Sequence, residues 1–325
     1  MSKKYRWGIL GAGRIAEKFC TALNFVEQSE VYAIASRDAD RAKAYLDKYN
    51  ASRFYNNYDD LLKDENVDII YIATPHAFHY EHAMACLKNK KAVLCEKPMS
   101  LSYRQTKEMI NAANESKVFL MEGMWTSCMP IIEKIRSLIK DDIIGQPKYL
   151  SADFGFKAPE EMEGRLYNKA LGGGSMMDVG IYPLFLATLI FGEPSSLKVI
   201  SKLAVTGVDE YANIVLKYPN GETAHVISSI TFNTAIEAEI IGTKGRIKIN
   251  NPWFKATDFS VHLNDGETQY FTMPHLSNGF EHEIMEVIHC MDNGLLQSDR
   301  MPHHLTLSII KIMEEVLQKA GVIYE

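Results

Sequence analysis

The sequence predicts an α/β protein in two parts: a doubly wound parallel sheet at the N-terminus, then an α/β region whose sheet is mainly antiparallel. Three observations carry this expectation. In the first third, short β-rich runs alternate with helical patterns, which places helices on both faces of a parallel sheet. From Pro147 to Met273 the chain turns strand-like, with turn signals such as Pro219-Asn220-Gly221 between runs. A glycine turn, Gly11-Ala12-Gly13, separates the first apolar run from the first helical pattern.

Taken in order, strands are expected at 6–10, 30–36, 67–74, 91–97 and 117–124, with a shorter one near 52–55. Between them, apolar positions recur at helical spacing over 39–48 and 102–114. A bridging helix near 131–140 precedes the change of texture. Strands over 212–218, 222–230 and 235–241 follow, and helices over 280–293 and 304–320 close the chain. The texture divides the chain into residues 1–123, a dinucleotide-binding domain, and 124–325, a substrate and oligomerisation domain.

Composition bounds the function. The 325 residues are 46% hydrophobic and 23% charged, with a formal net charge of −6. There is no basic surplus for a polyanion, so a small molecule is expected as the partner and nucleic acid is not. The five cysteines are scattered, never in C-x-x-C spacing, which suits reduced thiols in a cytoplasmic protein. The apolar stretch 179–191 is shorter than a bilayer requires, and no membrane role is expected.

The run Ile9-Leu10-Gly11-Ala12-Gly13-Arg14-Ile15-Ala16 places G-x-G-x-x-A between a strand and a helix. Gly11 permits the tight turn, Gly13 lets the backbone approach a pyrophosphate, and Ala16 keeps the helix close to the sheet. Ala12, Arg14 and Ile15 complete the loop at the helix start, where unpaired amides attract phosphate. At the end of the second strand stand Ser36 and Arg37, with Arg41 one turn later. A guanidinium suits a ribose 2′-phosphate, which favours NADP over NAD. Asp38 is either a displaced ribose-binding acid or the N-cap of the next helix, and it looks more like the cap.

Two further strand ends line the crevice expected of such a sheet. Thr74-Pro75 is followed by His76, His79 and His82 at helical spacing, but no acid or thiol completes a metal-ligand set, so no metal is expected. His76 and His79 are candidates for the cofactor side, although His79 could equally pack beside it as a helix-start residue. His82 reads as an exposed helix residue. Val93-Leu94-Cys95-Glu96-Lys97-Pro98 then ends an apolar run on two charges and a proline. Pro98 cannot donate a ladder hydrogen bond and biases Lys97 toward an extended backbone, so Glu96 and Lys97 are aimed into the crevice.

In the second half, Gly172-Gly173-Gly174 leads into a helical pattern where Asp178 and Tyr182 are four residues apart. That spacing puts carboxylate and phenol on one face near the helix start. Before the glycines, Arg165 and Tyr167 are loop residues able to meet a substrate. Trp125 can stack on a nicotinamide or a sugar face, or can belong to the core.

Together, Gly11–Ala16, Ala73-Thr74-Pro75, Glu96-Lys97-Pro98 and the glycine run with Asp178 and Tyr182 resemble the glucose–fructose oxidoreductase, inositol dehydrogenase and rhizopine catabolism (Gfo/Idh/MocA) family. The match in order and spacing extends over nearly the whole chain. The resemblance implies a Rossmann domain, a C-terminal α/β domain whose open sheet forms a homodimer interface, and Lys97 beside the reacting oxygen. Tyrosine at 182 and Met124-Trp125-Thr126 look like the branch of dimeric dihydrodiol dehydrogenase and NADP-dependent xylose dehydrogenase, whereas Ser127-Cys128-Met129 departs from it. The chemistry implied is hydride transfer to or from a sugar, polyol or trans-dihydrodiol. A free phenol has a pKa of about 10, and lowering it by about 2 units takes about 2.7 kcal/mol, a task suited to the Lys97 ammonium. Asp178 would orient substrate hydroxyls or Lys97. Two alternatives are a non-catalytic NADP sensor of the same architecture, which has no reason to keep both Lys97 and Tyr182, and an NAD-dependent polyol dehydrogenase, which Arg37 disfavours.

Overall fold

Apolar runs of four to six residues, buried on both faces, need helices on each side, and the first sheet is built from such runs. The structure is a computed structural model and describes residues 3–324. The chain runs β1 (Tyr5–Leu10), α1 (Arg14–Leu23), β2 (Ser29–Ala35), α2 (Ala39–Tyr49), β3 (Arg53–Tyr55), α3 (Tyr58–Lys63), β4 (Ile69–Ile72), α4 (His79–Lys88), β5 (Ala92–Glu96), α5 (Tyr103–Ser116) and β6 (Leu120–Gly123). All six strands pair in parallel in the order β3-β2-β1-β4-β5-β6. The order reverses between β1 and β4, so the ligand crevice of a doubly wound sheet falls at their carboxyl ends. Helix starts are capped as the sequence allows: Asp38, Asn57 and Ser102 each accept from the amide three residues on. Asp38 is thus the cap of α2. The strands expected at 67–74 and 117–124 are shorter, because Val67 is already bonded to Asp64 in a turn and Met124 to Glu122.

The second stretch contains α6 (Pro130–Lys140), β7 (Pro147–Gly155), α7 (Ile181–Phe191), β8 (Ser196–Leu203), β9 (Asp209–Lys217), β10 (Thr223–Ser229), β11 (Ala238–Gly242), β12 (Gly245–Ile249), β13 (Asp258–Leu263) and β14 (Thr268–Thr272), before α8 (Phe280–Asp292) and α9 (His303–Ala320). Its eight strands are ordered β14-β13-β12-β11-β7-β10-β9-β8. Pairing is antiparallel except between β7 and β10, which the intervening chain through α7, β8 and β9 makes parallel. Leu150, Ala152, Ile214, Val226, Ile240 and Ile247 are buried on one face. The other face is open, with Ile200 72% and Tyr270 80% exposed.

Packing gathers the chain into two compact units, Met1–Cys128 with His275–Thr306, and Met129–Pro274 with Leu307–Glu325. The return of α8 to the first unit rests on aromatic contacts. Phe280 stacks on Trp125 with centroids 4.3 Å apart, and meets Phe19 edge-on. The helical run Lys169–Phe191 is long and apolar enough by composition to cross a membrane, but 83% of its apolar window is buried inside the protein, as in a core helix. This stretch is longer than the apolar one expected from the sequence because it takes in the short turn Lys169–Leu171, the glycines and the π-turn Met176–Gly180 ahead of α7. All five cysteines are buried free thiols.

Candidate functional site

The carboxyl end of β1 turns on Gly11, whose φ of +102° is left-handed and whose added Cβ would lie 3.0 Å from the Ala73 carbonyl oxygen. Gly13 is the N-cap of α1 and supplies no side-chain acceptor, so the first amides of Arg14 and Ile15 have no side-chain cap. The Tyr45 hydroxyl donates to the Gly13 carbonyl at 2.7 Å and braces this loop from α2, a long-range contact that no local pattern announces. With Ala12 buried beneath it, the turn has the shape and donors that a pyrophosphate takes.

At the end of β2, Ser36 is buried and its hydroxyl accepts from the Asp38 amide at 3.1 Å. Arg37 is exposed, with its guanidinium 5.8 Å from the Phe78 ring centre. Arg41 is also exposed and pairs with Asp38 at 3.6 Å. Two guanidiniums at the mouth of the sheet fit a 2′-phosphate better than a bare ribose hydroxyl.

The rim at β4 and β5 is stitched by His79. This residue is fully buried, with Nδ1 2.7 Å from the Pro98 carbonyl oxygen and Nε2 2.8 Å from that of Thr74. Both nitrogens are directed at protein backbone, so the structure corrects the expectation that His79 touches the cofactor: it ties Thr74-Pro75 to Lys97-Pro98. His82, expected to be exposed, is partly buried, with Nδ1 3.0 Å from the Thr74 hydroxyl and its ring edge-on to Tyr58. His76 is half-buried at the mouth of the loop.

Three buried acids belong to the same unit as Lys97. Glu96 accepts from the Tyr71 hydroxyl and from the Lys97 amide. Glu122 on β6 accepts from the Met99 amide at 2.9 Å, and burial pushes its carboxyl up to about 7. Glu283 on α8 is fully enclosed, its oxygens have no hydrogen-bond partner among the described residues, and burial followed by the Glu96 charge drives it well above the carboxylate range. The sequence reading missed Glu122 and Glu283. Only their burial marks them, and burial is set by tertiary packing.

The second unit carries the other candidates. The helical run opens with a π-turn, Met176–Gly180, that holds Asp178, and Tyr182 stands in the first turn of α7. Such turns displace a side chain from ordinary helical spacing, a feature frequent at functional sites. Arg165 grips Asp178 with both nitrogens, at 2.8 and 3.5 Å, its own side chain 57% exposed and that of Asp178 10%. Tyr182 is 6% exposed between Phe154 and Phe254, with centroids 5.4 and 5.3 Å away. These phenylalanines were not anticipated, since β7 and the turn before β13 bring them together only in the folded sheet.

One further expectation needs correction, and one open alternative gains support. Tyr167 is 1% exposed within an apolar cluster of Ala158, Val208 and Ile230, so it is a core residue and not a substrate contact. Trp125 is 8% exposed and stacks on Phe280, which places at least one ring face in the core. A further cluster, His275, Glu281 and His282, brings three possible ligand atoms within 4.8 Å of one another. Glu281, however, accepts from the amides of Leu276, Ser277, Asn278 and Gly279, so its lone pairs already serve the turn that opens α8.

Lys97 belongs to the first unit and Asp178 and Tyr182 to the second. Comparison with known proteins assigns each stretch of the chain to one family. Residues 5–124 match the oxidoreductase family with an NAD-binding Rossmann fold, and residues 132–248 match the GFO/IDH/MocA C-terminal domain. The trans-1,2-dihydrobenzene-1,2-diol dehydrogenase of Xenopus tropicalis is 35% identical, covering 98% of this chain and 99% of the relative, and the Homo sapiens enzyme of that name is 32% identical with 98% of each chain covered. Among solved structures, an aldose-aldose oxidoreductase from Caulobacter crescentus superposes with a TM-score of 0.88 at 24% identity, covering 98% of both chains. A 3-ketoreductase from Actinomadura kijaniata, solved with NADP and TDP-benzene, gives 0.86 at 24% identity with the same coverage.

Proposed function

The chain belongs to the GFO/IDH/MocA oxidoreductase family, and we propose that it is an NADP-dependent dehydrogenase or reductase acting on a hydroxyl or carbonyl carbon of a sugar, polyol or trans-dihydrodiol. One observation carries the reading: a single chain holds a capless glycine turn shaped for pyrophosphate and a buried carboxylate and phenol at the head of a helix. Gly11 to Ile15 would hold the pyrophosphate. Arg37 and Arg41, beside Ser36, would hold the 2′-phosphate, with Thr74, Pro75, His76, Glu96 and Trp125 around the remainder.

NADP, when bound, accepts or supplies the hydride. The protein's own part is proton chemistry and orientation. In the oxidative direction the Tyr182 phenolate takes the hydroxyl proton as the carbon is oxidised; in reduction the phenol returns it. Lys97 would favour the phenolate by its positive charge and hydrogen-bond the substrate oxygen. Asp178, held by Arg165, would accept hydrogen bonds from a neighbouring hydroxyl of the substrate, which would favour diols and sugars over simple alcohols. Phe154 and Phe254 keep water from the phenol, strengthening each of these interactions.

The open face of the second sheet supports a homodimer. Ile200, Val215 and Tyr270 stand exposed on the face opposite the core, an apolar set that a second copy would cover isologously. A cytoplasmic location fits the five reduced thiols.

The test follows nicotinamide absorbance with NADP and NAD against aldoses, cyclic polyols and trans-dihydrodiols, and with NADPH against dicarbonyls. Turnover with NADP on a vicinal diol or sugar is expected. Tight NADPH binding without turnover on any class would overturn the enzymatic reading.

A further inference from the structure

The glycine run before Asp178 is gripped both by the segment just before it and by residues far away in sequence. A Cβ on Gly173 would lie 2.7 Å from the Leu166 carbonyl oxygen, 2.9 Å from that of Asn168 and 3.0 Å from that of Arg165. Its backbone therefore lies directly on the segment that carries Arg165, and the amides of Gly173 and Gly174 donate to Asn168 and Leu166. Gly174 has a φ of +103°, and a Cβ there would lie 2.4 Å from Asp209 Oδ1 and 3.1 Å from the Tyr324 hydroxyl. The Tyr324 hydroxyl donates to the Gly173 carbonyl.

Asp209, at the start of β9, has no exposed surface. Its Oδ2 accepts from the Ser175 hydroxyl at 2.6 Å and from the Met176 amide at 2.7 Å, which caps the π-turn. Its Oδ1 has no hydrogen-bond partner among the described residues and faces Gly174. Ser228 on β10 completes the set, 2.9 Å from the Ser175 hydroxyl. Beyond α9, Val322 is buried and its amide bonds back to Leu317, a turn that delivers Tyr324 to the glycines.

We infer that Tyr324 and Asp209 are positioning residues: they clamp Gly173 and Gly174 against the Arg165 segment, and so hold Arg165 against Asp178 in the geometry that meets the substrate. The inference rests on the reading of Asp178 as a substrate-orienting group. Neither residue touches substrate. Their effect on the reaction passes through the Arg165–Asp178 pair, while the glycines supply the close approach that any Cβ would prevent.

Tyr324→Phe removes one hydroxyl and keeps the ring. Backbone hydrogen exchange over residues 172–180 should accelerate roughly fivefold, the loss of one hydrogen bond. The KM for trans-1,2-dihydrobenzene-1,2-diol should rise by a similar factor, with kcat and NADPH affinity unchanged. In an Asp178→Asn background, Tyr324→Phe should add no further rise. Unchanged exchange over 172–180 overturns the clamp whether or not any substrate is turned over. Faster exchange with an unchanged KM overturns its link to the substrate. If the parent protein turns over no substrate, the functional reading fails on its own, and the exchange result still decides the clamp.

Discussion

The two units build the sites proposed for cofactor and substrate by different means. In the first, backbone does most of the work: a left-handed glycine, capless amides and strand ends held by His79 offer donors whose positions follow from the sheet. In the second, side chains do it: Arg165, Asp178 and Tyr182 are placed by a π-turn, two phenylalanines and a buried aspartate. A backbone site tolerates varied side chains around it but not the loss of its glycines. A side-chain site needs its distant partners. Cofactor recognition therefore suits the first design, and substrate choice, which must vary within one family, suits the second.

The largest test of this division removes the groups proposed to transfer and stabilise the proton. Tyr182→Phe and Lys97→Met should each lower kcat by about 10²- to 10⁴-fold in an absorbance assay, with NADPH affinity by fluorescence titration retained. An equal loss of affinity for Lys97→Met would make that lysine a cofactor clamp and dissolve the contrast.

Buried acids provide a second contrast. Burial raises Glu122 in the first unit to about 7 and Asp209 in the second to about 6. A carboxyl whose folded pKa lies above its unfolded value gives stability that is full below the unfolded value and declines as pH rises through the folded one. Glu122→Gln, a neutral mimic, should therefore match the parent in chemical denaturation near pH 4.5. At pH 8 it should exceed the parent by on the order of 3 kcal/mol. Equal stability at both pH values would mean that Glu122 ionises normally.

Gly11→Ala tests the backbone site itself. The left-handed φ costs about 1–2 kcal/mol in any L-residue, and the added Cβ meets Ala73, so NADPH binding measured by calorimetry should weaken by about tenfold or more. The corresponding change in the second unit, Phe254→Leu, should leave the NADPH titration unchanged. The smallest effect is expected at the outer edge: Arg37→Ala should lower the preference for NADPH over NADH by about tenfold, the worth of one charge-assisted contact, as read from the ratio of kcat/KM values.

Much of the first unit was readable in the sequence because its signals are local. The strand–glycine–helix order, Asp38 as a cap, and the end of β5 at Glu96 each depend on residues a few positions apart. Arg37, Arg41, Asp178 and Tyr182 are proposed on type and spacing alone. The same reasoning placed Tyr167 at a substrate and His79 at a cofactor, and both are enclosed by the protein. A tyrosine in a loop and a histidine at a helix start look alike whether they face solvent or core.

By itself, the sequence determined the parallel sheet and the glycine turn, which follow from periodicity and glycine spacing, and its motifs resemble those of the family to which the chain belongs. Tertiary structure alone decided which acids are buried, that α8 returns to the first unit, that β7 and β10 run parallel, and that Asp209 and Tyr324 meet at the glycine run. Those outcomes join residues separated by tens to hundreds of positions. Their energies arise from desolvation and packing after the chain has closed on itself, and no local pattern carries that information.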